Sequence, residues 1–125
     1  MRTQEYLIFN DSDKKEHKTQ ITKITDITEI IGEVNAKDRL HDWSLEYISC
    51  DGKSAQVTVK SYEDETLFHF HINGLQQFNI NLDVVVRWLY EVDFKVSNVI
   101  SIIFDGVGIE ITAEEVILEI QEKIS

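Results

Sequence analysis

His69 and His71 lie two residues apart in the run Leu67 to Ile72, LFHFHI. If that run is a strand, both imidazoles share one face, and with His41 and Asp42 they make a donor set that suits zinc or iron. The same alternation speaks against a metal. Phe68, Phe70 and Ile72 take the opposite face as the core side, which leaves the histidines on the face that is often solvated. A metal site needs three or four convergent ligands, and the chain sets only two together. Cys50 stands beside a turn signal, but no cysteine-protease signature surrounds it and its neighbours are acidic, so it reads as a small buried residue. There is no glycine-rich phosphate loop, GxSxG elbow or HExxH pair. The sequence points away from an enzyme, and it assigns no catalytic residue, metal or cofactor.

Charge is the other chemical resource. Twelve basic against 23 acidic residues give a net charge of −11, with the four histidines neutral. Such a field repels nucleic acid and anionic membrane and steers basic partners inward. Solubility alone also accounts for an acidic surface. Read functionally, the carboxylates gather at Asp11/Asp13, Glu63/Asp64/Glu65, Glu91/Asp93 and Glu114/Glu115. Glu63, Asp64, Glu65, Glu91 and Asp93 are the candidates to face the Lys and Arg of a protein partner. Trp43 and Trp88 could each anchor an interface or a core, and the core is the expectation for both.

These residues need a scaffold, and 125 residues fit one domain, 1–125, able to bury roughly two-thirds of its unfolded surface. One cysteine excludes an intramolecular disulfide and is compatible with a reducing compartment. The apolar run near the N-terminus is too short for a signal peptide, and no segment approaches the roughly 18 apolar residues of a membrane span. A soluble, cytoplasmic protein is expected, and its oligomeric state is left open.

The chain is organised around Leu40 to Ile72. Asp51-Gly52 predicts a type I′ hairpin between a strand carrying Trp43, Leu45 and Tyr47 and one in which Ala55, Val57 and Val59 alternate with Gln56, Thr58 and Lys60. Glu63-Asp64-Glu65 is costly to bury and predicts an exposed turn before the third strand. Glu5 to Phe9 predicts an opening strand, Asn10 to Asp13 a turn, and Lys14 to Gln20 a loop. Apolar residues at 21, 24, 27, 30, 31 and 34 predict a helix from Ile21 to Val34. Asn73-Gly74 signals a turn into a fourth strand through Phe78, Ile80 and Leu82. Val84 to Val96 fits strand and helix patterns, and its β-branched residues favour strand. Val99 to Phe104 turns at Asp105-Gly106 into Ile109 and Ile111. Over 113–124 a capping box with Val116, Ile117, Ile120 and Ile124 allows a helix, while the alternation of Val116, Leu118 and Ile120 favours a hairpin turning at Ala113 to Glu115. The fold class is α+β: mainly an antiparallel β-sheet of consecutive hairpins, with one N-terminal helix packed on it.

Two stretches carry a family resemblance: Leu40-His41-Asp42-Trp43-Ser44-Leu45-Glu46-Tyr47-Ile48 leading through Asp51-Gly52, and Phe104-Asp105-Gly106-Val107-Gly108-Ile109-Glu110-Ile111-Thr112-Ala113-Glu114. Over about Leu40 to Ile120 the chain resembles small β-rich immunity proteins of bacterial contact-dependent growth inhibition and polymorphic toxin systems. In that group a His-Asp pair precedes an alternating strand, and here Asp42 becomes a candidate for capping backbone N–H groups at the start of the strand. The resemblance brings no catalytic residue. It implies an inhibitor, or antitoxin, that acts by protein–protein interaction on a toxin domain, often a basic nuclease. The competing readings are a phage-type inhibitor that mimics nucleic acid and a small metal-dependent enzyme at His69/His71.

Overall fold

The computed structural model describes residues 2–10, 15–81 and 87–124. Among the described residues eight strands and one α-helix run in the order β1 (Arg2–Asn10), β2 (Lys15–Ile24), α1 (Ile27–Ala36), β3 (Ser44–Cys50), β4 (Ser54–Lys60), β5 (Leu67–Ile80), β6 (Glu91–Val96), β7 (Ile100–Asp105) and β8 (Ile109–Ile124). Every pairing is antiparallel, and the main path is β1-β2-β8-β5-β4-β3. Strand β8, 16 residues long, pairs with β5 along one edge. On its other edge it pairs first with β7 and then with β2, so the β6–β7 hairpin and the β1–β2 hairpin branch from opposite halves of one strand. Leu45 N–H donates to Arg87 O and Leu89 N–H to Trp43 O, both at 2.8 Å. These bonds tie the start of β3 to the segment ahead of β6 and curl the sheet. Among the described residues no helix is long and apolar enough to cross a membrane.

Side-chain alternation sets the core. Across β4, β5 and β8 the inward rows are Val59–Phe68–Ile120, Val57–Phe70–Leu118 and Ala55–Ile72–Val116, all buried. The ring of Trp43 meets Phe68 edge-on at 4.9 Å, and Phe70 meets Phe104 at 5.4 Å, geometries that the ring quadrupole favours. Helix α1 covers this face with Ile30 and Val34, both fully buried.

The expected α+β class, with its three central strands, its exposed turn at 63–65 and its opening strand, is observed; the sheet is not a run of consecutive hairpins, because β8 pairs with β2 and β5 far from it in sequence, and several boundaries differ. The helix does not begin at Ile21. Asp26 is its N-cap, accepting from Glu29 N–H at 3.1 Å, so Ile21–Ile24 belong to β2, where β-branched side chains pack on β8 beside Leu118. For the same reason the expected loop over Lys14 to Gln20 is largely strand, from Lys15 onward. The Asp51-Gly52 turn has positive φ only at Gly52, and Cys50 pairs with Ala55. Gly52 and Lys53 are therefore the central residues, the requirement of a type II′ rather than a type I′ turn. Asp51 flanks them and accepts from the N–H groups of Lys53 and Ser54 at 2.9 and 2.8 Å.

Asn73-Gly74 does not close a hairpin. Gly74 has φ +65° but sits inside β5, just before an irregularity in register between Leu75 and Gln77, and one strand runs through from Leu67 to Ile80. Residues 113–124 form neither a helix nor a hairpin, because Ala113 to Glu115 continue β8 and pair with β5. The Asn10–Asp13 turn beyond Asn10, Leu82, and the 84–86 part of the Val84–Val96 strand lie outside the described residues. Of the rest, only Glu91–Val96 is strand, as β6; residues 87–90 lie outside it, with an isolated bridge from Trp88 to Ser44. Trp43 joins the core, but Trp88 is 54% exposed, because the 87–89 segment meets β3 through its backbone. Cys50 is exposed, not buried, at the end of the sheet's β3 edge.

Candidate functional site

Helix α1 ends at Ala36, and the chain then does something costly for L-amino acids. Asp38, Arg39 and Leu40 take left-handed φ values of +53°, +53° and +62°, and Asp42 follows at +65°. Each such residue costs about 1–2 kcal/mol relative to the right-handed region. The turn is held from several sides. Leu40 is fully buried; Leu40 N–H donates to Lys37 O and His41 N–H to Asp38 O, both at 3.0 Å, and Asp42 N–H donates to Leu89 O at 3.0 Å. The Arg39 guanidinium spans the Glu91 and Asp93 carboxylates on β6, at 2.9 Å to Glu91.

This turn makes one wall of a groove of about 320 Å³ whose other wall is the turn after β4. Asp38, Asp42, Glu63 and Asp64 line it, with Lys37, His41 and Tyr62. Four carboxylates thus face a single lysine. Asp64 Oδ1 accepts from Thr66 N–H at 3.1 Å, and that bond is the main reason its carboxyl is held below the ordinary 3.8. The carboxylates of Asp38 and Glu63 make no hydrogen bond or ion pair with other described residues. Tyr62 lines the groove and is 62% exposed; Tyr90, whose ring meets the His41 ring edge-on at 5.7 Å, is 61% exposed. Exposed tyrosines beside a groove are the residue type that protein interfaces favour.

His41 links the groove to the segment ahead of β6. Its Nδ1 donates to Tyr90 O at 2.7 Å, and its Nε2 lies 3.5 Å from Asp42 Oδ2. The Tyr90 hydrogen bond chiefly, then the carboxylates of Asp42, Asp38 and Glu91, raise its titration above the ordinary 6.5.

The sequence candidates divide. Glu63 and Asp64 line the groove. Glu65 is paired with Lys123, which holds its carboxyl below the ordinary 4.5, and Glu91 and Asp93 are paired with Arg39. Asp42 caps no backbone N–H among the described residues; its carboxylate faces His41 instead.

The supposed metal set is not assembled. His69 bonds Thr58 Oγ1 at 2.8 Å and Gln121 Oε1 at 3.0 Å, whereas His71 Nε2 faces Glu119 at 3.5 Å and His41 bonds Tyr90. No group of three or more His, Cys, Asp or Glu among the described residues is arranged to hold a metal ion. Asp38, Tyr62 and Tyr90 were not singled out by sequence. For Asp38 a signal existed, since Asp tolerates the left-handed region better than most residues.

No protein-family profile, curated protein or solved structure matches this chain.

Proposed function

We propose that this protein is an immunity protein: it binds a cognate bacterial toxin domain, a basic nuclease, in the cytoplasm and neutralises it. Carboxylates of the groove face Lys and Arg that would otherwise hold nucleic acid, and Tyr62 and Tyr90 supply the apolar contact. The observation that carries this reading is the groove itself, with four carboxylates against one lysine and the exposed Tyr62 in its lining, while the exposed Tyr90 packs on His41. The net charge of −11 and the resemblance of the Leu40 and Phe104 stretches support it independently. A field of this sign speeds encounter with a basic partner, while the groove supplies the short-range contact. Glu63 and Asp64 are placed at the contact, with Glu65, Glu91 and Asp93 adding to the field through already paired carboxylates.

The test is growth rescue. A candidate toxin domain, sought in the gene beside the one for this chain, is expressed with the wild type or with an Asp38→Asn/Asp42→Asn/Glu63→Gln variant whose circular dichroism matches wild type. Rescue by the wild type and its loss in the variant are expected. No rescue by the wild type contradicts immunity; full rescue by the variant removes the groove from the mechanism.

A further inference from the structure

Resting on that reading of the groove, we propose that His41 makes binding of a basic partner pH-dependent through the neutral range, with partner binding and proton uptake at His41 opposing each other. The geometry fixes where the proton goes. Because a carbonyl oxygen only accepts, Nδ1 carries hydrogen in its bond to Tyr90 O, and the free lone pair of the neutral ring is on Nε2, beside Asp42. Proton uptake therefore puts a positive charge at the groove wall.

Among the described residues, these charged groups bear on the ring. Asp42 and Asp38 act on it from its own turn and Glu91 from β6, where Glu91 is itself paired with Arg39; Lys37, Glu63 and Asp64 line the same groove. With His41 neutral, the lining carries four carboxylates against Lys37; with His41 charged, one more of them is offset. A guanidinium or ammonium entering the groove meets a repulsive neighbour in one state and not in the other. The hydrogen bond to Tyr90 O chiefly, and then the surrounding carboxylates, move the titration up from 6.5.

A fluorescent peptide of nine arginines is the probe. Its affinity is measured at fixed salt at pH 6 and pH 8 for wild type and His41→Asn, whose amide nitrogen can keep the bond to Tyr90 O. A unit charge about 6 Å away in water is worth about a threefold change in affinity. Wild type is expected to bind about threefold tighter at pH 8, and H41N equally at both. The remaining histidines, His17, His69 and His71, are unchanged by this substitution, so a pH dependence that survives in H41N overturns the proposal.

NMR supplies a readout on the wild type alone. By reciprocity the His41 ring titrates at lower pH when the peptide is bound, and an unmoved midpoint overturns the proposal even if H41N fails to fold. Peptide binding that shifts the groove amides but ignores pH sinks this inference alone. Groove amides that never respond sink the reading of the groove as well.

Discussion

His41 Nδ1 donates a 2.7 Å hydrogen bond to the carbonyl oxygen of Tyr90, 49 positions further along the chain, and the two rings meet edge-on at 5.7 Å. That bond fastens the left-handed turn after α1 to the segment ahead of β6. The turn after α1 is one wall of the groove.

The first expectation concerns titration. His41 takes up its proton above 6.5 in the folded protein, and Asp42→Asn lowers its midpoint without abolishing the rise, because the Tyr90 bond remains. A group raised on folding contributes stability that is fully present below its unfolded value, near 6.5, and is lost as pH rises through the folded value. Urea midpoints for wild type and His41→Asn should therefore differ more at pH 5.5 than at pH 8.5. Ring resonances followed by NMR check the titration directly.

Acid acts with the opposite sign. Asp51 is lowered first by Lys53 N–H and then by Ser54 N–H, Asp64 first by Thr66 N–H, and Glu65 first by its bond to Lys123. Their contribution is present above the unfolded values of 3.8, 3.8 and 4.5 and is lost as pH falls through the lower folded values. Asp64→Asn should flatten the acid side of the stability profile, converging with wild type at the lowest pH where both remain folded. A constant offset at every pH would contradict this.

Gly106 is the position where the backbone admits no side chain. It has φ +101°, and a Cβ there would lie 2.7 Å from Tyr90 N and 2.8 Å from Trp88 O. Gly106→Ala should destabilise by about 1–3 kcal/mol and perturb the His41 and Tyr90 resonances, since Tyr90 N–H donates to Asp105 O at 2.8 Å in the same turn. Equilibrium unfolding with NMR measures both effects.

Phe70 is fully buried between Phe68 and Phe104. Phe70→Ala should cost about 3–5 kcal/mol, which a domain of ordinary stability can barely withstand. Loss of less than about 1 kcal/mol in urea unfolding would mean that these rows do not form the core.

What the sequence disclosed follows from the range of each interaction. Alternation in Ala55–Val59 and Phe68–Ile72 located strands and their core face, because burial of alternate residues is a local pattern. It did not locate ends. Ile21 and Ile24 suit a helical stripe, but pairing with β8 decided the matter. Gly74 carried a turn signal that the long pairing of β5 with β8 absorbed as an irregularity within a strand. The groove was half legible: Glu63 and Asp64 stood out as a charge run, whereas Asp38 meets them only through a left-handed turn held by Leu40, Leu89 and Arg39. Glu91 and Asp93 looked free because Arg39, 52 and 54 positions upstream, cannot be paired with them by pattern alone.

The most direct measurement is the dissociation constant and association rate of the proposed complex with a basic toxin domain, by calorimetry and stopped-flow mixing at low and physiological salt, for wild type and for Asp42→Asn/Glu63→Gln. A charge-steered groove complex should weaken at least about tenfold in the variant, equivalent to about 1.4 kcal/mol, and its association rate should fall as the screening length drops from about 30 Å at 0.01 M salt to about 8 Å at 0.15 M. A wild-type complex whose affinity is unchanged by the substitutions and whose association rate ignores salt would contradict the account.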